Sequence, residues 1–390
     1  MPQPVPKRIQ KAQPQTLCKT FNTLLIDGSN ILELSSLADT KVSSNGKQIG
    51  GILQFFIQIK LLLQKGNFRY VYVFWDFKRS GQKRYNILPT YKANRDKEFE
   101  ENGLSDYMKA VNAKLEQMKS HFLKSKDPVK LAEQKKQKEI FYWQRDVIME
   151  CLEELCIRQC GCDEVEADDF IGYYVTHKKP NEKIVIVSND RDLTQLISDQ
   201  VIVYVQSMKD FINTKNHTQV MGYNYQNVVL KKMLCGDTSD NIKGIKGLGE
   251  KTLFTNFEDF KKRKVTLEEV IDRAKKINEE RALVKKKPLK WAENIVNMVT
   301  DGVQGDKIYE INKAVIDLTD PNCPMMTDEA KELIDSMMYA PMDTEGRSIE
   351  NLYRILVEND VDEFKDSSKF ANFFTEFKYI IDKEQKNSPY

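Results

Sequence analysis

The 390-residue chain is 41% hydrophobic and 30% charged, the balance of a soluble globular protein long enough for two or three domains. Its 60 basic and 58 acidic side chains leave a net charge of only +2, so overall charge selects no partner class, and no run of about 18 apolar residues marks a membrane span. Seven cysteines, an odd number in a long chain, argue against a disulfide scaffold and for a reducing compartment, the cytoplasm.

Residues 1–20 are rich in Pro and Gln, lack an apolar signal core, and are expected to be a disordered extension. A core is expected over 21–225. It opens with the apolar run Leu24-Leu25-Ile26, which ends in Asp27-Gly28. A helical stretch follows, with Ile52, Phe55, Phe56, Ile59 and Leu63 on one face. The pattern of an apolar run closed by an acid recurs at residues 70–74 before Trp75-Asp76, and at Ile184-Val185-Ile186-Val187 before Ser188-Asn189-Asp190. Short β-rich runs alternating with helical stretches predict an α/β fold, a parallel central sheet flanked by helices. In such sheets ligands bind beyond the carboxyl ends of the strands, which brings Asp27, Asp76 and Asp190 to one edge.

Between 78 and 145 no strand pattern is visible. Residues 78–97 hold seven Lys/Arg and one Asp, and 109–145 hold ten Lys/Arg and four acids. This is expected to be an insertion of helices or mobile chain crossing the strand ends; a solvated charged helix is the plainer reading. Past 226 the pattern turns helical, with Val228, Val229, Met233 and Leu234 on one face, a glycine-rich interruption at 236–249, and a restart over 251–257. The rest, 258–390, reads as a helical C-terminal part, with basic clusters at 261–264 and 285–287 to which no role is assigned.

Five local motifs carry carboxylates: Asp27-Gly28-Ser29-Asn30, Trp75-Asp76, Glu164 to Asp169, Asp190-Arg191-Asp192, and Gly236-Asp237-Thr238-Ser239-Asp240-Asn241. One such motif is ordinarily a helix cap; five, three of them at strand ends, are not. Carboxylates gathered closely repel one another unless they keep their protons or bind cations. Oxygen donors favour Mg²⁺ or Mn²⁺, and the three His lie away from the motifs. Cys156, Cys160 and Cys162 lack paired zinc spacing and read as reduced cysteines in or near a buried strand. Two divalent ions held by carboxylates suit hydrolysis at phosphorus.

Gly244-Ile245-Lys246-Gly247-Leu248-Gly249-Glu250-Lys251 lies between helical stretches and has the form of a helix-hairpin-helix, a sequence-independent grip on duplex backbone. Glu250 separates glycine from lysine, which excludes a phosphate-binding loop of the nucleotide-hydrolase type. Soon after Asp76, Arg84, Lys92 and Arg95 offer cations to a phosphate, and Tyr91 a ring to an unpaired base.

Taken in order, Asp27-Gly28, Trp75-Asp76, Leu88 to Arg95, Glu166-Ala167-Asp168-Asp169, Ser188 to Asp192, and Gly236 to Asn241 through the glycine hairpin resemble the 5′-nuclease (flap endonuclease) superfamily. Within it the pattern is nearest in kind to bacteriophage 5′→3′ exonucleases and the ribonuclease H of T-even phages. The resemblance covers about residues 22–257 and, more faintly, runs to about 320. It implies a PIN-like core with a helical arch over about 78–145, and a monomeric, two-metal nuclease acting on 5′ ends. Asp27, Asp76, Glu166 and Asp168 would hold the first Mg²⁺ or Mn²⁺, and Asp190, Asp192 and Asp237 the second, Asp168 serving both. Asp169 and Asp240 would act through water. Arg84 and Lys92 would contact the scissile phosphate, and Tyr91 would orient the substrate. Gly244, Lys246, Gly247, Gly249 and Lys251 would grip DNA, with a monovalent cation such as K⁺ on the carbonyls of Gly244, Ile245 and Leu248. Implied partners are branched or 5′-ended duplex DNA, RNA–DNA hybrids, and a single-stranded DNA-binding protein or sliding clamp. The task would be removal of RNA primers and 5′ flaps during replication. A PIN-type ribonuclease cutting single-stranded RNA and a non-catalytic DNA-binding module are the alternatives.

Overall fold

A computed structural model describes residues 20–92, 128–300 and 307–387. The central sheet has six strands: β1 (Thr23–Asp27), β2 (Tyr70–Phe74), β3 (Arg158–Cys160), β4 (Ile184–Val187), β5 (Val201–Val205) and β6 (Asp210–Ile212). They run in the order β3-β2-β1-β4-β5-β6. All pairings are parallel except the last, β5 with β6. All five residues of β1 are buried, as a strand covered on both faces requires. Register aligns the strand ends. Asp27 pairs with Phe74, and Ile26 with Val187. Asp27, Asp76 and Asp190 therefore leave the sheet along the same edge.

One face packs against α1 (Gly28–Ala38), α2 (Gly50–Leu63) and, after the short α3 (Gln82–Ile87), the 27-residue α4 (Pro128–Glu154). The other is covered by α5 (Ala167–His177). Beyond the sheet come α6 (Val228–Cys235), a ribbon of β7 (Gly236–Asp237) and β8 (Ile242–Lys243), and α7 (Glu250–Asn256). These pack with α8 (Leu267–Leu283) and α9 (Lys290–Val296) around Leu234, Leu253, Phe260, Val270 and Ile295. Then follow α10 (Lys307–Ile316), α11 (Asp328–Tyr339), α12 (Ile349–Glu358) and α13 (Ser367–Asn387).

Leu352, Leu356, Phe364, Phe374 and Phe377, in the stretch expected with the hairpin helices, join the core of the first sheet face beside Phe56 and Trp75. The expected insertion is described as α3 and α4; residues 93–127, where most of the expected arch and Arg95 fall, lie outside the described residues, as do residues 1–19 of the expected extension. Cys160 closes β3, and the six cysteines of the described residues are all free. None of the helices searched among the described residues is long and apolar enough to cross a membrane.

Candidate active site

Asp27 ends β1 and caps α1: the Asn30 amide donates to Oδ1 at 3.1 Å, and Ser188 Oγ donates to Oδ2 at 2.9 Å. Glycine is needed next, because a Cβ on Gly28 would lie 2.7 Å from Val73 Cγ1 and 2.8 Å from the Trp75 ring. The start of α1 is thereby drawn against β2, beside Asp76. Ser29 Oγ accepts the Asp76 N–H at 2.8 Å, and Asp76 Oδ1 accepts the Ala167 N–H at 3.0 Å, one of the free amides opening α5. Asp190 caps the turn Arg191–Leu196, taking the Asp192 N–H on Oδ1 at 2.8 Å.

Asp27, Asp76, Glu166, Asp168 and Asp190 together line a cavity of about 1210 Å³ whose outer wall includes Gln137, Phe141 and Tyr142 of α4. Their electrostatics are those of crowded anions. Burial, then Asp76 and Asp190, push the Asp27 carboxyl up to about 8 against the pull of Asn30 and Ser188. Asp168 is raised well above the usual range by desolvation, with Asp190, Asp27, Glu166 and Asp76 adding to it. A pocket that holds carboxyl groups this reluctant to ionise is satisfied by protons or by cations.

Glu166 is neutralised from within the protein. It accepts from Tyr91 Oη at 2.8 Å and Lys92 Nζ at 2.6 Å, and Arg84 Nη1 lies 3.0 Å away. Arg84, 4% exposed, grips both oxygens of Asp169 at 2.5 and 2.7 Å and donates through Nε to the Val315 carbonyl. Arg84 and Tyr91, the latter 2% exposed, contact carboxylates, and Asp169, which is outside the cavity lining, pairs with Arg84. The reason is that a buried guanidinium needs a two-oxygen partner, which Asp169 supplies. Lys92 differs: it lines the cavity, and its ammonium also lies 3.9 Å from Asp240. Burial disfavours its charge, but Glu166, Tyr91 and Asp240 outweigh that and hold it protonated well above the ordinary lysine range.

Asp192, Asp237 and Asp240 form a second group, with one oxygen of each within 4.8 Å of the others. They lie outside the lining of the first cavity, although Asp190 stands close enough to raise Asp192 electrostatically. Lys232, buried at the end of α6, bridges Asp192 and Asp237, the latter at 2.5 Å. Asp192 is pushed up to about 6 by burial and Asp190 against Lys232; Asp237 is held at about 2 because Lys232 and Ser239 outweigh its burial. Lys232 was not singled out from the sequence, although it stands five residues before Asp237 on the helix feeding the turn.

The glycine hairpin is a close backbone crossing. Gly236 has φ +75°, and a Cβ there would lie 2.4 Å from Gly244 N. Ile245 and Leu248 are buried, Ile245 N–H donates to the Leu234 carbonyl at 2.7 Å, and the Ile245 carbonyl accepts the Leu248 N–H at 3.0 Å. Gly247, at φ +80°, forms the exposed bend, Gly249 precedes α7, and Lys251 is exposed.

A family model described as 5′-3′ exonuclease, N-terminal resolvase-like domain, matches residues 22–229. A 5′-3′ exonuclease of Mycoplasmopsis pulmonis is 26% identical over 249 residues, 63% of this chain and 69% of the relative. One of Halalkalibacterium halodurans is 30% identical over 242 residues, 59% of this chain and 67% of the relative. Among solved structures, T5 5′-exonuclease with bound divalent metal ions (zinc) superposes with a TM-score of 0.57 at 18% identity, covering 81% of this chain and 98% of that one. A bacteriophage T5 D15 flap endonuclease complex with DNA and metal ions gives 0.57 at 17%, covering 86% and 98%. The structural likeness is one of fold.

Proposed function

This chain belongs to the 5′-3′ exonuclease family, and on that premise we propose that it is a structure-specific 5′-nuclease, a flap endonuclease and 5′→3′ exonuclease that removes 5′ flaps and RNA primers in replication. One observation carries the reading: Asp27, Asp76, Glu166, Asp168 and Asp190, from separate parts of the chain, surround one cavity at the carboxyl edge of the sheet. The donor set supports divalent metal use. Every ligand candidate is a hard oxygen, no His or Cys stands among them, and Asp27 and Asp168 resist ionisation without a counter-charge, which favours Mg²⁺ or Mn²⁺.

In this reading Asp27, Asp76, Asp168 and Asp190 would hold one ion, and Asp192, Asp237 and Asp240, two of which Lys232 now neutralises, would hold a second. Bound ions supply the charge that lowers the pKa of an attacking water and stabilises the leaving oxygen of a phosphodiester. Lys92, fixed by Glu166, offers a permanent positive charge to the scissile phosphate at the cavity wall. Arg84 and Asp169 act by holding Glu166 and the start of α5 in place. Gly244, Lys246, Gly247, Gly249 and Lys251 would form a hairpin grip on duplex backbone, and the carbonyls of Gly244, Ile245 and Leu248 would hold K⁺. A sliding clamp or single-stranded DNA-binding protein is the corresponding recruiting partner.

The test is cleavage of a labelled 5′-flap duplex with Mg²⁺, beside an unstructured RNA of equal length. The expected outcome is cutting near the junction that EDTA abolishes and that Asp190→Asn lowers by about 10²-fold or more. Preferential cutting of the unstructured RNA would instead assign the chain to single-strand ribonuclease activity.

A further inference from the structure

The basic clusters at 261–264 and 285–287 have opposite fates. In the first, Lys262 pairs with Glu258 at 3.2 Å, and Arg263 with Asp259 at 2.7 Å and Glu269 at 2.8 Å, so its charge is largely neutralised locally. In the second, Arg281, Lys285, Lys286, Lys287 and Lys290 fall within ten positions that contain no acid. Lys285, Lys286 and Lys287 are exposed and form no ion pair among the described residues. They occupy the tip between α8 and α9.

That tip is held by hydrogen bonds and tied to the glycine hairpin. Arg281 Nε donates to the Lys287 carbonyl at 2.8 Å, and Asn278 Oδ1 accepts the Leu289 N–H at 2.7 Å. At the other end of α9, Asn294 Nδ2 donates to the Lys246 carbonyl at 2.8 Å, and the Lys246 N–H donates to the Val299 carbonyl at 2.9 Å. Trp291 Cβ lies 3.7 Å from where a Cβ on Gly247 would be. Lys287 thus stands only four residues before a side chain packed beside the exposed bend of the hairpin, a separation of at most about 14 Å even with the intervening non-helical chain fully extended, or roughly four phosphates along one strand.

We propose that Lys285, Lys286 and Lys287 form a second grip on the duplex backbone, continuing the contact made by the hairpin around Gly247. This rests on the duplex-binding reading above. An unneutralised row of ammonium groups on a hydrogen-bonded tip beside a backbone-binding loop can meet a polyanion, and it reads charge rather than sequence.

The test is equilibrium binding of the full chain to a 5′-flap duplex, with Ca²⁺ in place of Mg²⁺, across a salt series. The tip variant is Lys285→Asn with Lys286→Ala and Lys287→Ala, asparagine being chosen because Lys285 has φ +55°. The control variant, Lys261→Ala with Lys262→Ala and Lys264→Ala, removes the same charge elsewhere. Matching thermal unfolding curves establish that both are folded. The tip variant is expected to lower the slope of log affinity against log salt by about 2 to 3 on the duplex, with the control unchanged and little effect on a single strand. A tip variant with the wild-type slope, or one no different from the control, overturns the proposal. So does an equal loss on single-stranded and duplex DNA. Failure of the wild-type protein to bind the flap duplex refutes the duplex-binding reading itself, and is distinct from each of these.

Discussion

Asp27 and Arg84 are two solutions to the same problem, a buried charge. Asp27 has serine and amide donors but no cation among the described residues, so it holds its proton up to about 8 instead of the ordinary 3.8. In metal-free protein the folded state therefore binds more protons than the unfolded state between those values, and stability falls as pH rises across that window. Thermal unfolding from pH 5 to 8 should show this decline in EDTA, and saturating Mg²⁺ should raise Tm most at the alkaline end; a metal-free Tm that climbs with pH would contradict it. Arg84 is already paired, so its removal strands Asp169. Arg84→Ala should cost about 3–5 kcal/mol in denaturant unfolding, against a much smaller loss when Arg84→Met is combined with Asp169→Leu. Equal losses in the single and double variants would contradict the pairing. The cavity carboxylates were legible because each strand-end acid closes an apolar run. The fates of Arg84, Tyr91 and Asp169 were not, because a basic residue after a strand reads the same whether it faces a phosphate or a neighbouring helix. Only the approach of α5 and the Val315 carbonyl decides that.

Secondary elements position the chemistry through a few close contacts. The turn after α6 carries Asp237 on a crossing that only glycine permits at Gly236 and Gly244, where a Cβ on Gly244 would lie 2.2 Å from the Cys235 carbonyl carbon. Gly236→Ala should destabilise by about 1–3 kcal/mol or more and displace Asp237. Calorimetric titration should then show one class of divalent site weakened; unchanged metal binding and Tm would mean that the crossing is dispensable. β1, β2 and β4 were readable from their apolar runs and terminal acids. β5 and β6 were passed over, and β3 was touched only through Cys160, read as in or near a buried strand. Arg158-Gln159-Cys160 is short and half polar, and Val201 to Val205 carries no acid to mark its end, although its five residues are all buried.

Across the whole molecule, the C-terminal helices belong to the nuclease core. Phe364, Phe370, Phe374 and Phe377 form a chain of edge-on and tilted ring contacts that reaches Phe56 of α2, with centroids 5.0 to 6.1 Å apart. Loop 41–47 also pairs with this region, Lys47 reaching Asp360 at 3.0 Å, but such exposed pairs contribute about 1 kcal/mol or less. Each buried aromatic contributes about 1.5–3 kcal/mol. Removing residues 345–390 should therefore abolish cooperative unfolding and expose dye-binding apolar surface, whereas Lys47→Ala should shift Tm little. A truncated chain with a sharp native-like melt would show the helices to be an accessory. This packing was not legible from the amphipathic pattern, which says that a helix buries a face but not against what.

Cation binding at the two groups of acids is what separates a metal-dependent nuclease from any other use of this sheet edge. Anomalous diffraction at the manganese edge, from crystals grown with Mn²⁺ and a 5′-flap duplex, tests this directly. Two peaks are predicted, one among Asp27, Asp76, Asp168 and Asp190, the other beside Asp192, Asp237 and Asp240 with the Lys232 ammonium displaced. Manganese absent from both places, or bound only elsewhere on the protein, would contradict it.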